Sequence, residues 1–319
     1  MNSEYFIRLA LDNLKCSQKE LASRLGVSST QISKWKKGEH MSQEMENRFR
    51  EITQIGTYSP QLVEWSGSTE NAKKWDQLIH YLADRAHENA ETGYITVPLN
   101  DEEGYLCIET IDVLKQIGLK SPKSFPKELD INEYASQEEA AEHLWEAIES
   151  NVYSSIIDQI FHSLNDVYGF YAAYVDELIE DEELDIYSTN AINIRECLLP
   201  LAACKIDTDL TQVPKFNEFR YKVEKDYENW LNELKLKAFR AGIPLRAELL
   251  QLVYDTADSL SVAAEAESLE FNKNRIHPDI YMNELLTGMR IIHQVLPEII
   301  KKLDITDFKL DTSELNAGR

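Results

Sequence analysis

A run of short polar and cationic side chains lies between residues 29 and 37, and its residue types suit binding through hydrogen bonds and positive charge. Its members are Ser29, Thr30, Gln31, Ser33 and Lys34, followed by Lys36 and Lys37. Hydroxyl and amide groups both donate and accept hydrogen bonds, and amines donate from a positive charge. Such a set can contact polar edges and anionic oxygens, and it contains no nucleophile paired with a base.

A second group, His80, Asp84 and His87, has the i, i+4, i+7 spacing of ligands on one helix face. These side chains flank an apolar stripe on its polar side, so we interpret them as a solvated face. The zinc-protease pattern H-E-x-x-H is not met, because position 91 is Glu. The sequence also lacks G-x-S-x-G, G-x-x-x-x-G-K-[ST] and G-x-G-x-x-G. It therefore predicts no enzyme, no metal and no cofactor.

The helices that must position the polar run are predicted from caps and spacing. Ser17, with a glutamate three residues later, predicts a capping box that begins one helix, and Gly26 ends it. Ser28 caps the next helix, in which Ile32 and Trp35 point inward. Two short helices joined by a tight glycine turn form a helix-turn-helix, whose outward face carries the polar run.

This stretch resembles the lambda-repressor/Cro-like (XRE) DNA-binding family over roughly residues 4–55. The residues that carry the resemblance are Gln18, Glu20-Leu21-Ala22, Leu25-Gly26-Val27, Ile32-Ser33, Trp35 and Gly38. The resemblance implies that the helix opening at Ser28 lies in the major groove of double-stranded DNA, and that Ser28 is one of eight DNA-binding residues. It implies base-edge contacts from four residues, Ser29, Thr30, Gln31 and Lys34. It implies phosphate contacts from Gln18, Lys37 and His40.

One residue departs from the family pattern. Lys36 stands where family members often have an acid, which adds positive charge near the DNA backbone. Family members read pseudo-palindromes as dimers, with half-sites about 34 Å apart, so the resemblance also implies a homodimer. A module of this kind that binds protein instead of DNA is the alternative.

Charge is divided unevenly along the chain of 319 residues. Its 33 basic and 56 acidic residues give a net charge of −23. Residues 1–60 hold nine basic and seven acidic side chains, so the rest of the chain carries −25. A body this acidic is repelled by DNA and should suppress non-specific binding. The asymmetry suggests that head and body meet different partners.

Composition and periodicity predict an all-α protein. Only 11 glycines and 9 prolines interrupt the chain, which favours long helices over a turn-rich β fold. We expect a helix-turn-helix domain over 1–56, a linker rich in Gly, Ser, Thr and Pro over 57–70, and an acidic helical domain for dimerisation or interaction over 71–319. A short strand is expected near 94–98.

The last predicted helix carries a heptad seam. Its members are Met282, Leu285, Met289, Ile292, Leu296, Ile299 and Leu303. The seam predicts either packing within the chain's own core or a dimer contact. A separate acidic run over 176–185 is expected to be a solvated helix end, with a docking site for a basic partner as the alternative.

These observations predict a sequence-specific transcription regulator that acts as a dimer, most simply a repressor. The alternative is an antitoxin-like or phage-defence component, whose acidic body binds a partner protein while the head binds DNA. The four cysteines have no C-x-x-C spacing, which predicts free thiols and a cytoplasmic location. The chain has no apolar run long enough to span a bilayer, which predicts no membrane partner.

Overall fold

The computed structural model describes residues 3–134, 138–243, 245–271 and 282–305. None of these residues forms a β-strand, which confirms the all-α prediction. The α-helices, numbered in chain order, are α1 (Ser3–Leu14), α2 (Gln18–Leu25), α3 (Ser29–Trp35), α4 (Gln43–Thr53), α5 (Pro60–Ser66), α6 (Thr69–Glu88), α7 (Val97–Asn100), α8 (Leu106–Gln116), α9 (Ile131–Tyr134), α10 (Glu138–Ser150), α11 (Val152–Phe170), α12 (Asp176–Glu180), α13 (Leu198–Ala203), α14 (Phe216–Ala241), α15 (Gln251–Tyr254), α16 (Ala257–Ser268) and α17 (Met282–Lys302). Shorter 3-10 turns cover Lys127–Leu129, Ile186–Ser188, Asn190–Cys197 and Ala247–Leu250, and a π-helical turn covers Tyr171–Val175.

The strand predicted near 94–98 is wrong. The segment before α7 is irregular, and α7 itself is a short helical turn with Pro98 in its first positions. Thr96 is buried, its hydroxyl donates to Asn165 Oδ1 (2.7 Å), and its carbonyl oxygen lies 2.7 Å from His87 Nε2. His87 of α6 therefore contacts the Thr96 carbonyl oxygen that a neighbouring strand would have paired, and Asn165 of α11 accepts from the Thr96 hydroxyl.

The segment predicted as a linker over 57–70 is instead helical and packed. Leu62, Val63 and Trp65 of α5 are buried, and α5 packs against α1, α6 and α8. Its small residues are helix caps: Ser59 is the N-cap of α5, and Gly67 ends α5 in the left-handed conformation. The composition typical of a linker arises here because two helix ends lie close together.

Helix α1 joins the N-terminal helices to the rest of the protein through α5. The Arg8 guanidinium donates to both carboxylate oxygens of Glu64, at 2.5 and 3.1 Å. Arg8 also lies over the Tyr5 ring, with Lys115 of α8 at 5.4 Å from the same ring. This paired geometry fixes α1 against α5 and α8.

Helix α11 occupies the centre of the body. Its side chains are buried on successive turns, including Ile157, Phe161, Leu164 and Phe170. It packs against α6, α10, α13 and α16, so it is covered from several sides. A helix that is hydrophobic around most of its circumference is a buried helix.

Helices α10 and α11 are separated at Ser150-Asn151. The chain turns at Ser150-Asn151, where the Asn151 side chain accepts from the Tyr153 N–H and caps α11. Gly169, by contrast, lies inside α11 with the Thr92 side chain against it. A Cβ added at Gly169 would lie 2.7 Å from Thr92 Cβ, so this glycine permits close packing instead of a turn.

The described side chains of α17 are not packed in the core. Met289 and Ile292 are 58 % and 62 % exposed, and Val295, Leu296, Ile299 and Leu303 are also exposed. The prediction that this seam packs within the chain's own core is therefore wrong for its members from Met289 to Leu303, and the side chains of Met282 and Leu285 lie outside the part that the structure describes. Across the described ranges, no helix has the length and apolarity needed to cross a bilayer.

We predict that Gly169→Ala lowers the free energy of unfolding by about 1–3 kcal/mol, because the new methyl group overpacks the contact with Thr92. Replacing glycine by alanine inside a helix ordinarily raises stability. Here the clash with Thr92 is expected to reverse the sign of that change in stability. Urea denaturation measures the effect. Gly288→Ala in α17 is the control, since a Cβ there meets nothing within 4 Å. Equal or higher stability of the Gly169 variant would contradict the packing.

Candidate nucleic-acid interface

Helix α2 begins with the predicted capping box. The Ser17 hydroxyl oxygen accepts from the Glu20 N–H (3.3 Å), and Glu20 Oε2 accepts from the Ser17 N–H (2.8 Å). These hydrogen bonds from Ser17 hold the pKa of the Glu20 carboxyl below its usual range. Gln18 follows as the first residue of α2 and is half-buried. The backbone N–H groups of Ser17 and Glu20, which have no partner within the helix, are therefore both hydrogen-bonded by these side chains.

The turn between α2 and α3 requires a left-handed residue. Gly26 has φ 68°, and its N–H donates to the carbonyl oxygens of Ala22 and Ser23. The Val27 N–H also donates to the Ala22 carbonyl, at 3.0 Å. Only glycine adopts this conformation without steric cost, so the turn that sets α3 against α2 depends on it.

Two buried side chains hold α3 against the other helices. Ile32 is fully buried and Trp35 is 6 % exposed. The Trp35 ring packs edge-on against Phe49 of α4, with centroids 6.2 Å apart. Its Nε1–H donates to the His40 carbonyl oxygen at 3.1 Å. The indole thus anchors α3 and also fixes the chain that follows it.

The opposite face of α3 is open to solvent. Ser29, Thr30 and Lys34 are exposed, and Gln31 is half-buried. Ser28, the N-cap, is exposed, and its oxygen accepts from the Gln31 N–H at 3.1 Å. This helix face presents its polar groups outward because Ile32 and Trp35 direct the apolar face inward.

Basic side chains continue beyond the end of α3. Lys36, Lys37 and His40 are exposed, and the hydrogen bond from Trp35 holds this segment in place. All eight predicted contact residues therefore belong to α3, its flanking turns or the start of α2, and none of them is fully buried.

The sequence reasoning missed the role of Glu39. Its carboxylate lies 3.4 Å from Lys34 Nζ, and both side chains are about half exposed. A surface pair of this kind is weak, at about 0–1 kcal/mol, so DNA phosphate or a base edge can displace the carboxylate. The glycine turn at Gly38, with φ 86°, brings Glu39 back toward α3, and the spacing alone did not indicate this contact.

The three residues examined as metal ligands do not form one site. His80 Nε2 lies 2.9 Å from Asp101 Oδ2, whereas His87 Nε2 lies 2.7 Å from the Thr96 carbonyl oxygen. Asp84 is exposed. Each histidine thus has partners from another segment of the chain.

The body contains a cavity of about 440 Å³ between α8, α11 and the segment around Arg195. Arg195 donates to the Tyr171 hydroxyl (2.9 Å) and to Asp176 Oδ1 (3.1 Å). Burial, with the nearby carboxylates of Asp101 and Glu196, raises the pKa of Glu109 in its wall. Carboxylates outnumber cations in this lining, so the cavity is unsuited to DNA phosphate.

The acidic run over 176–185 is partly neutralised within the chain. Asp176 pairs with Arg195, and Asp185 Oδ2 lies 3.1 Å from Lys237 Nζ. Glu177, Glu182 and Glu183 remain exposed.

The four cysteines are free thiols, as predicted, and burial raises the pKa of Cys197 to about 11.

Comparison with known families agrees with the geometry of the N-terminal helices. A family model described as helix-turn-helix, of the XRE type, matches residues 7–45. No curated protein and no solved structure matches the chain. The match covers α1 from residue 7, all of α2 and α3, and the first turn of α4. The body is outside the matched residues. Residues 7–45 of this chain therefore form a helix-turn-helix of the XRE type.

Proposed function

We propose that the chain is a sequence-specific transcription regulator, acting as a repressor in the cytoplasm by binding and not by catalysis. The observation that carries the proposal is the division of α3 into two faces. Ile32 and Trp35 fix one face, while the other presents short polar side chains and cations to solvent. A helix held in this way can enter the major groove, which is wide enough for an α-helix.

The hydrogen bonds made by the side chains of α3 favour base contacts from the middle of this face. Within the described part of the chain, the side chains of Thr30 and Gln31 make no hydrogen bond. The Ser33 hydroxyl, by contrast, donates to the Ser29 carbonyl at 3.0 Å. A glutamine amide can pair bidentately with an adenine edge. Thr30 and Gln31 are thus the side chains freest to discriminate between sequences.

Charge favours the same orientation. Lys36 and Lys37 extend the cationic surface at the end of α3, where a phosphate backbone would pass. The remainder of the chain beyond residue 60 carries −25 and is repelled by DNA. The attraction is thus confined to the head, which lowers binding to DNA that lacks the right base sequence.

The dimer is assigned to α17 and a second copy of the same helix. The heptad repeat of its apolar residues is self-complementary, as an interface related by a two-fold axis requires. The apolar side chains of residues 289–303 lie in solvent in the isolated chain. Helix α17 has two acidic and three basic side chains, so two copies can meet there without the repulsion of the acidic body.

A protein partner is the second candidate. The exposed carboxylates of Glu177, Glu182 and Glu183 favour a basic partner on the body, as in an antitoxin-like or phage-defence component. Purification of the full chain from its host distinguishes the two: a stoichiometric basic protein supports the second candidate, and a homodimer alone supports the first.

Selection from random double-stranded DNA with the full-length protein tests the main proposal. We expect enrichment of a two-fold symmetric site with half-sites about one helical turn apart, and repression of a reporter whose promoter contains it. Failure to enrich any sequence above the random pool would overturn sequence-specific binding.

We predict that Gln31→Ala and Thr30→Ala each weaken binding to the selected site by about 1–3 kcal/mol and leave binding to random DNA nearly unchanged. Fluorescence anisotropy on both DNAs measures the difference. An equal loss on specific and random DNA would place these side chains on the backbone.

We predict that Lys37→Ala weakens binding to all sequences alike and lowers the slope of log K against log salt by about one, because one phosphate contact is lost. A salt titration measures the slope. Lys225→Ala, which removes an exposed charge from α14 in the body, is the control and should change neither quantity.

We predict that replacing Met289 and Ile292 together by Glu gives a folded monomer with weaker affinity for the selected site, because four like charges would enter a two-fold interface. Sedimentation and circular dichroism measure assembly and folding. Leu236→Glu with Phe239→Glu is the matched control, with the same i, i+3 spacing and similar exposure on α14. A dimer that persists in the first variant and dissociates in the control would exclude α17 as the interface.

A further inference from the structure

Three side chains with metal-ligating atoms meet where α6 and α8 pack together. Asp76 and His80 lie one turn apart on α6, and Cys107 lies at the start of α8. Their ligand atoms all lie within 4.8 Å of one another. Asp76 Oδ1 is 3.8 Å from His80 Nδ1 and 3.4 Å from Cys107 Sγ.

These separations fit the edges of a metal tetrahedron. Zinc bonds of about 2.0–2.3 Å to oxygen, nitrogen and sulfur place neighbouring ligand atoms roughly 3.3–3.6 Å apart. Two edges, 3.8 Å from Asp76 Oδ1 to His80 Nδ1 and 3.4 Å from Asp76 Oδ1 to Cys107 Sγ, lie within about 0.5 Å of these values. The third edge, between the ligand atoms of His80 and Cys107, is at most 4.8 Å long. Rotation of the His80 and Cys107 side chains would shorten it.

The second ring nitrogen of His80 is held by a carboxylate. His80 Nε2 lies 2.9 Å from Asp101 Oδ2, and the Asp101 side chain is only 9 % exposed. Asp101 is itself fixed, since its Oδ1 accepts from the Leu106 N–H at 2.8 Å. A carboxylate that accepts the other N–H of a ligating histidine is the usual outer-sphere support of a zinc site.

We propose that Asp76, His80 and Cys107 form a site for a divalent transition metal of the zinc class, with Asp101 as the positioning residue for His80. A thiolate with an imidazole selects such a metal over Mg²⁺ or Ca²⁺, which prefer oxygen ligands. Asp76 and His80 are half-buried and Cys107 is buried, so a metal would enter from the solvent side of α6 and water would take the fourth position.

Binding would exchange protons for the metal ion. His80 Nδ1 lies 2.8 Å from the Asp76 carbonyl oxygen, and this hydrogen bond is given up when Nδ1 ligates. The Nδ1 proton and the Cys107 thiol proton leave to solvent, while the other ring proton stays on His80 Nε2 and is donated to the Asp101 carboxylate. The metal would then link α6 to α8, independently of whether the head binds DNA.

Cobalt titration of the full chain, first treated with a chelator, tests the site. We expect one equivalent of Co²⁺ to give a thiolate-to-cobalt charge-transfer band and the visible bands of tetrahedral cobalt, and Zn²⁺ to displace both. Cys107→Ser should lose the charge-transfer band while the far-ultraviolet circular dichroism is unchanged. Asp101→Asn should bind Co²⁺ about 10–100-fold more weakly.

Two matched controls separate this site from non-specific binding. His162 of α11 has the same spacing to Asp158, with Nδ1 3.5 Å from Oδ2, so His162→Ala should leave the spectrum unchanged. Cys197→Ser removes a different free thiol and should also leave it unchanged. No charge-transfer band in the native chain, or a band that persists in Cys107→Ser, would overturn the proposal.

Discussion

Burial of α11 is the constraint on which the rest of the body depends. Because its apolar side chains point in several directions, α6, α10, α13 and α16 must all pack around it. Helix α6 in turn packs against α5, and α5 packs against α1 of the helix-turn-helix domain. Helix α5 therefore connects the helix-turn-helix to the body, and the Arg8–Glu64 pair links α1 to α5.

Helix starts in the first part of the chain share one device. Serine side chains accept from a backbone N–H at the starts of α2, α3, α4, α5 and α6. Each cap contributes about 0.5–2 kcal/mol, which matters most for helices as short as α2 and α3. Helix α3 is held by its cap and by two buried side chains, Ile32 and Trp35. Its polar face can therefore stay free of packing.

Charge separates the surfaces of this protein by task. The head is slightly basic, the body strongly acidic, and α17 nearly neutral with an exposed apolar face. In the proposed assembly, the neutral apolar helix is the surface of the body on which a second copy meets least repulsion, and the basic head is the surface proposed to bind DNA. The proposed metal site lies apart from both, between α6 and α8.

The helix-turn-helix could be predicted from local features, because caps, the Gly26 turn and the spacing of Ile32 and Trp35 act over a few residues. The sequence also determined the all-α class. It failed where local composition was ambiguous: caps at Ser59 and Gly67 were interpreted as a linker, and the segment near 94–98 as a strand. Three features emerge from the folded chain alone: Gly169 serves close packing, the described face of α17 is exposed, and Cys107 lies beside His80. These outcomes depend on contacts between elements far apart in the chain, and no periodicity within one element encodes them.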